Sequence, residues 1–169
     1  DDARYCHPWK KWLIWDGARW KEDDTGRVVK LAKETIRGMW QEVATLGEDQ
    51  RKDFARFVAS VESANRIAAM LKLARDELPV VPSQLDTDLW FLNCPNGTVD
   101  LRTGKLRPHS RADFLTKVCP TPFNPDAGSY RWDRFLEDVF DGDGELMEFI
   151  RRWSGLCLTG DVREHVLPI

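Results

Sequence analysis

A chain of 169 residues, 42% apolar and with a net charge of −3, has the length of one domain or two small ones and an ordinary globular composition, which argues against a strongly basic nucleic-acid binder. Eight tryptophans allow a large buried area per residue. The charge is uneven: residues 1–75 hold 15 basic and 12 acidic side chains, residues 76–169 hold 10 and 16, so the first half leans towards an anionic partner.

Residues 9–22 predict a first β-hairpin around Asp16-Gly17, with Trp15 opposite Ala18 and Leu13 opposite Trp20 on the core face. Trp12, Ile14, Arg19 and Lys21 then share the other face. That face reads two ways: a second packing surface with snorkelling cations, or a contact where aromatics stack on bases and cations meet phosphates.

From Thr25 the apolar spacing of Val28, Leu31, Ala32, Thr35, Ile36, Met39, Trp40 and Val43 predicts a helix, capped by Asp23, Asp24 or Thr25 and ended by Gly47. A second helix from about Glu48 carries Phe54, Phe57, Val58 and Val61. Ser63 caps a third, with Ile67, Met70, Leu71 and Ala74 inward, and Pro79 and Pro82 stop it.

Asn96-Gly97 and Thr103-Gly104 then predict a three-stranded meander. Cys94 is expected opposite Val99, Leu92 opposite Leu101 and Leu101 opposite Leu106. Leu92, Cys94, Val99, Leu101 and Leu106 line an apolar face; Asn93, Asp100 and Arg107 line the other, with Asp100 and Arg107 paired across strands. Residues 114–118 add a strand, and Pro120, Pro122 and Pro125 form a connector. A helix from Ser129 to Phe140 buries Trp132, Phe135, Leu136 and Val139. Asp141-Gly142-Asp143-Gly144 breaks it, and a last helix to Leu158 turns Leu146, Phe149, Ile150, Trp153 and Leu156 or Cys157 inward. A final strand begins near His165. The fold class is therefore α+β: an N-terminal β-hairpin, a three-helix segment, a small antiparallel β-meander and two C-terminal helices.

No pattern of catalysis is present. His7, His109 and His165 stand far apart, and Cys6-His7 lacks the spacing of a zinc site. The Asp141–Glu145 stretch lacks the remaining ligands of a calcium loop and reads as a helix-capping turn. No phosphate-binding Gly-rich Lys-Ser/Thr loop occurs, no serine or cysteine is marked as a nucleophile, and no catalytic residue, metal or cofactor is assigned. Arg151-Arg152 and Lys10-Lys11 are the densest basic pairs. Cys6, Cys94, Cys119 and Cys157 form no CxxC pair and read as free thiols. With no signal peptide and no membrane-spanning run, the expected location is cytoplasmic. The missing initiator Met and the apolar end at Ile169 read as a piece of a larger protein.

The order Trp12-x-x-Trp15-Asp16-Gly17-x-x-Trp20, three helices, then Leu92-Asn93-x-x-Asn96-Gly97-x-Val99-Asp100-Leu101-x-Thr103-Gly104, is distinctive. Phe123-Asn124-Pro125-Asp126-Ala127, Trp132-x-x-Phe135-Leu136 and Gly155-x-x-Leu158-Thr159-Gly160 follow it. Together they resemble the phage and plasmid primase–helicase family, and within it the domain akin to the poxvirus primase-helicase N-terminal domain. The resemblance implies that residues 1–160 are an accessory domain, with a helical part 23–78 and a meander-plus-helix part 84–160, between a primase and a superfamily 3 helicase whose start is residues 161–169. It implies partners in the primase and helicase domains of the same chain, self-association of the parent, and ATP and Mg for the parent motor alone. Pro168 departs from what a central motor strand expects. A DNA contact is expected at Lys10, Lys11, Trp12, Arg19, Lys21, Arg151 and Arg152. The alternative is a protein-interaction module that touches no DNA.

Overall fold

The computed structural model describes residues 2–162; the expected final strand near His165 lies outside them, as does nearly all of segment 161–169. The α+β class is as the sequence predicts, and so is the coarse order of N-terminal strands, three helices, a small antiparallel sheet and two C-terminal helices. The chain divides into two compact units, one of Asp1–Asp16 with Trp20–Leu85, the other of Gly17–Arg19 with Asp86–Ile169.

In the first unit β1 (Ala3–Cys6), β2 (Lys11–Trp15), β3 (Trp20–Glu22) and β4 (Pro79–Val80) form one sheet in the order β3-β2-β1-β4. β1 and β4 were not expected from the sequence. β4 runs parallel to β1, and Pro79, with no N–H to offer, sits at the start of this edge strand. Three helices follow β3 in the chain: α1 (Arg27–Thr45), α2 (Glu48–Val61) and α3 (Ala64–Glu77).

The hairpin register is shifted by two residues from the expected one. Trp15 faces Trp20 and Ile14 faces Lys21, so the loop holds four residues rather than two. Because strand side chains alternate with period two, this shift keeps Leu13, Trp15 and Trp20 on one face. The expectation fails for Ile14. It is buried with Ala3 and Val28, and Trp12, Leu31, Leu71 and Leu78 pack around them. Sheet and helices are joined by that cluster, which is why β2 is apolar on both faces.

The helices share a second cluster of Ala32, Ile36, Val43, Val58 and Ile67. Trp40 and Phe57, expected inside, are at the surface. Asp23 starts α1: one carboxylate oxygen accepts from the Arg27 amide at 2.7 Å, the other from the Val28 amide at 2.9 Å. Ser63 caps α3 through the Arg66 amide.

In the second unit β5 (Phe91–Cys94), β6 (Gly97–Asp100) and β7 (Lys105–Arg107) make the meander. Its register also differs by two: Leu92, Val99 and Leu106 lie side by side, and Cys94 faces Gly97. The apolar face keeps Leu92, Cys94, Val99 and Leu106, whereas Leu101 falls in the loop. Asp100 stands opposite Lys105, not Arg107. Arg107 instead pairs with Asp113 at 2.7 Å and lies over the Phe91 ring. Residues 114–118 form no strand: Phe114 is left-handed at φ 50°, and the Asp86 carboxylate holds the Thr116 amide (2.7 Å) and hydroxyl (2.5 Å) in place of a ladder.

α4 (Tyr130–Phe140) and α5 (Gly144–Cys157) close the described chain. The intervening turn is a cap, as expected, with the Asp143 carboxylate accepting from the Glu145 and Leu146 amides. Burial here departs from expectation. Leu136 and Met147 are buried, whereas Phe135 is 53% exposed, Val139 55% and Phe149 45%.

Candidate nucleic-acid interface

Lys10 is at the β1–β2 turn, in the left-handed region at φ 55°, its amide donating to the His7 carbonyl at 3.1 Å. This conformation turns the chain sharply at the head of β2, leaving Lys10 and Lys11 exposed together. The Lys11 ammonium is 2.7 Å from the Glu22 carboxylate on β3, an exposed pair of small energetic weight. Lys21 is exposed on β3 and lines a hollow of about 350 Å³ that also carries Asp16, Glu22, Asp23 and Asp24. Those carboxylates place negative potential beside the cation, which opposes phosphate binding at that point.

Trp12 and Arg19 are engaged in packing. Trp12 meets Tyr5 edge-on with ring centroids 5.1 Å apart and belongs to the cluster around Ile14. The Arg19 guanidinium, half-buried, donates to the Thr116 carbonyl at 3.3 Å within the second unit. Arg151 on α5 joins Asp133 on α4 at 3.0 Å. A hydrogen bond from the Ser129 hydroxyl and this guanidinium together hold the Asp133 carboxyl below the usual carboxylate range. Arg152 is well exposed and meets Glu148 one turn earlier at 2.8 Å. The expected site residues thus include four exposed cations, Lys10, Lys11, Lys21 and Arg152, and three side chains occupied with their own fold.

The second unit also contains a polar group that sequence reasoning placed on an outer face. Asn93 is only 5% exposed and Thr98 1%. The Asn93 amide donates to the Ala18 carbonyl at 2.9 Å and the Lys117 carbonyl at 3.0 Å, which leaves its oxygen to accept from Thr98 and His109. The position of Asn93 between apolar neighbours was its signal: a polar residue in a buried strand needs partners. Asn93 itself is fully satisfied and serves folding, whereas Nε2 of His109 is buried with no hydrogen-bond partner.

Sequence reasoning also passed over Lys30, Lys33 and Arg37, which recur along the exposed side of α1. Their spacing was the available signal. Among the described residues, no three His, Cys, Asp or Glu side chains gather where they could share a metal ion, and no helix is long and apolar enough to cross a membrane.

The family described as D5 N terminal like matches residues 1–141. A search of curated proteins finds no match.

Proposed function

We propose a replication role for this chain from the premise that it belongs to the D5 N-terminal-like family, whose domain is the N-terminal domain of D5-like primase–helicase proteins. In this reading the chain is a non-catalytic accessory module. It links a primase to an ATP-driven superfamily 3 motor and supports ring assembly or loading on DNA, in a cytoplasmic phage- or plasmid-type replication protein. ATP and Mg belong to the motor of the parent protein. Family membership over residues 1–141 carries the reading.

The contact with DNA is electrostatic and independent of sequence. Lys10 and Lys11 supply exposed cations on the first unit and Arg152 another on the second, while the carboxylates around Lys21 weaken its part. Such a contact weakens steeply with salt, because each neutralised phosphate releases a counterion.

Fluorescence anisotropy of labelled single-stranded and duplex DNA, over a salt series, tests this. The expected result is salt-sensitive binding that is indifferent to sequence, with no ATP hydrolysis by the chain alone. A chain that binds neither form at low salt overturns the DNA contact.

A specific observation favours the second reading, a protein-interaction module without DNA contact. Tyr130, Phe135, Val139 and Phe149 expose apolar surface on α4 and α5. Light scattering that shows self-association, together with absent DNA binding, selects that reading.

A further inference from the structure

We propose that the exposed face of α1 formed by Lys30, Lys33 and Arg37 binds the phosphodiester backbone of a nucleic-acid strand. This site rests on the replication reading above and adds to it a surface that the hairpin does not provide.

Folding does not account for these three cations. Among the described residues none of them has a carboxylate at ion-pair distance, whereas Arg27 on the same helix meets Glu34 at 3.0 Å. Lys33 and Arg37 stand four residues apart and Lys30 three before Lys33, like charges on one side of the helix; Glu34, the one acid among them, is held by Arg27 at 3.0 Å. Lys30 also lies in the first turn of α1, where the helix dipole disfavours positive charge. No basic residue occupies the last turn, where a cation would help. A bound polyanion reverses the sign of both effects.

The geometry suits a strand. Lys33 and Arg37 line an opening of about 260 Å³ with Ile36, Glu62 and Ile67. The one carboxylate in that lining, Glu62, accepts from the Trp40 indole N–H at 2.8 Å and so is partly engaged. Lys30 to Arg37 covers about 10 Å along the axis at ~1.5 Å per residue. One strand of a duplex advances about 3.4 Å per nucleotide, so the three cations span roughly three phosphates. Trp40, one turn beyond Arg37 and partly exposed, adds an aromatic surface at the end of the row.

The test compares the whole chain with two variants, Lys33→Gln/Arg37→Gln and Lys10→Gln/Lys11→Gln, by anisotropy with labelled single-stranded and duplex DNA over a salt series. The helix variant removes a repulsion, so its melting temperature should equal or exceed that of the parent, and melting is checked first. The expected result is a slope of log affinity against log salt that is shallower by about 1.4 for single strands or about 1.8 for duplex, two phosphate contacts being lost. The form bound more tightly by the parent at a given salt concentration is the preferred one. A parent that binds DNA and a helix variant with the same slope overturn this site while the replication reading stands. A parent that binds no DNA overturns both the site and the DNA contact of that reading. Binding to phosphatidylserine vesicles without binding to DNA overturns it as well, and assigns the face to a membrane surface.

Discussion

The carboxamide oxygen of Asn93 accepts a hydrogen bond from Nδ1 of His109 at 2.8 Å. Since that oxygen has no proton to give, the imidazole carries its hydrogen on Nδ1. The Asn93 amide spends both its hydrogens on the Ala18 and Lys117 carbonyls. Asn93→Ala leaves two carbonyls, the Thr98 hydroxyl and the His109 N–H without their partner at once. At ~1–3 kcal/mol for a buried group left unsatisfied, with some relief by water, a loss of about 3 kcal/mol is expected. Asn93→Asp should be worse at neutral pH, because a carboxylate would face two carbonyl oxygens. Urea denaturation of the three proteins orders them, and an Asn93→Ala loss below about 1 kcal/mol would contradict this account.

Gly97 is a glycine for reasons of space. It sits at φ +148°, and a Cβ built there would come within 2.5 Å of the Arg107 carbonyl oxygen and 2.8 Å of a Leu106 methyl. The first neighbour is backbone in the paired strand and cannot rotate away. Gly97→Ala is expected to cost about 3 kcal/mol or to abolish the folded meander. Gly104 is the control: its φ is +67°, but nothing lies within 4 Å of a Cβ placed there. Gly104→Ala should cost only about 1 kcal/mol, the left-handed backbone penalty alone. Thermal melts of both variants separate close approach from backbone strain.

The elements marked by local chemistry were legible in the sequence. Asp23, Ser63 and Asp143 start helices with their own side chains, and each reads directly as a cap. Both hairpins were legible in existence and in which core residues share a face, but not in register, nor in the burial of Ile14 and Asn93 on the faces expected to point outward. The Asn96-Gly97 pair looked like a two-residue turn. Instead the Asn96 amide exchanges hydrogen bonds with the Phe123 backbone (2.8 and 2.9 Å), and Gly97 lies in the strand, paired with Cys94 and close against β7. That choice depends on a contact 27 residues away, which local turn chemistry does not record. β4 was missed because two residues carry no periodicity. The stripes of α4 and α5 gave the right helical phase, yet periodicity says nothing of what covers Phe135 and Phe149. In the candidate interface, residue type pointed to cations, but Arg19 is engaged by the Thr116 carbonyl, 97 residues distant. The row on α1 was readable from spacing; its lack of counter-ions was not.

Asp23 makes stability depend on pH. Partial burial pushes its carboxyl up, and the amides of Val28, Arg27 and Thr25 push it down further, so it stays ionised below the usual 3.8. A carboxyl depressed in the folded state contributes stability that is fully present above its unfolded value and is lost as pH falls through the folded one. At neutral pH Asp23→Ala should cost about 1 kcal/mol, as for other helix caps. The gap between parent and variant should close as the pH drops below 3.8. Urea midpoints at neutral and at acid pH measure it, and a gap of constant size across that range would show that the carboxylate charge contributes nothing.

Cys94 and Cys157 should differ sharply as nucleophiles. Burial pushes the Cys94 thiol up, and the neighbouring Cys119 adds to the shift through its charge and a hydrogen bond. The thiolate is the reacting form, so a raised thiol in an apolar setting is both less ionised and less reachable. Cys157, near the end of α5, is exposed. At about pH 8, iodoacetamide should alkylate Cys157 first and leave Cys94 unmodified while the protein is folded. Cys119, half-buried, should react at an intermediate rate. Replacing Cys119 by Ser removes one cause of the shift but not the burial, so Cys94 should remain slow in that variant. Mass spectrometry of peptides from timed samples reads all three rates. Adding urea should bring them together, because unfolding removes the burial that separates them. If Cys94 in the folded protein reacts as fast as Cys157, β5 opens to solvent on the labelling timescale, and the close packing assigned to the meander does not hold in solution.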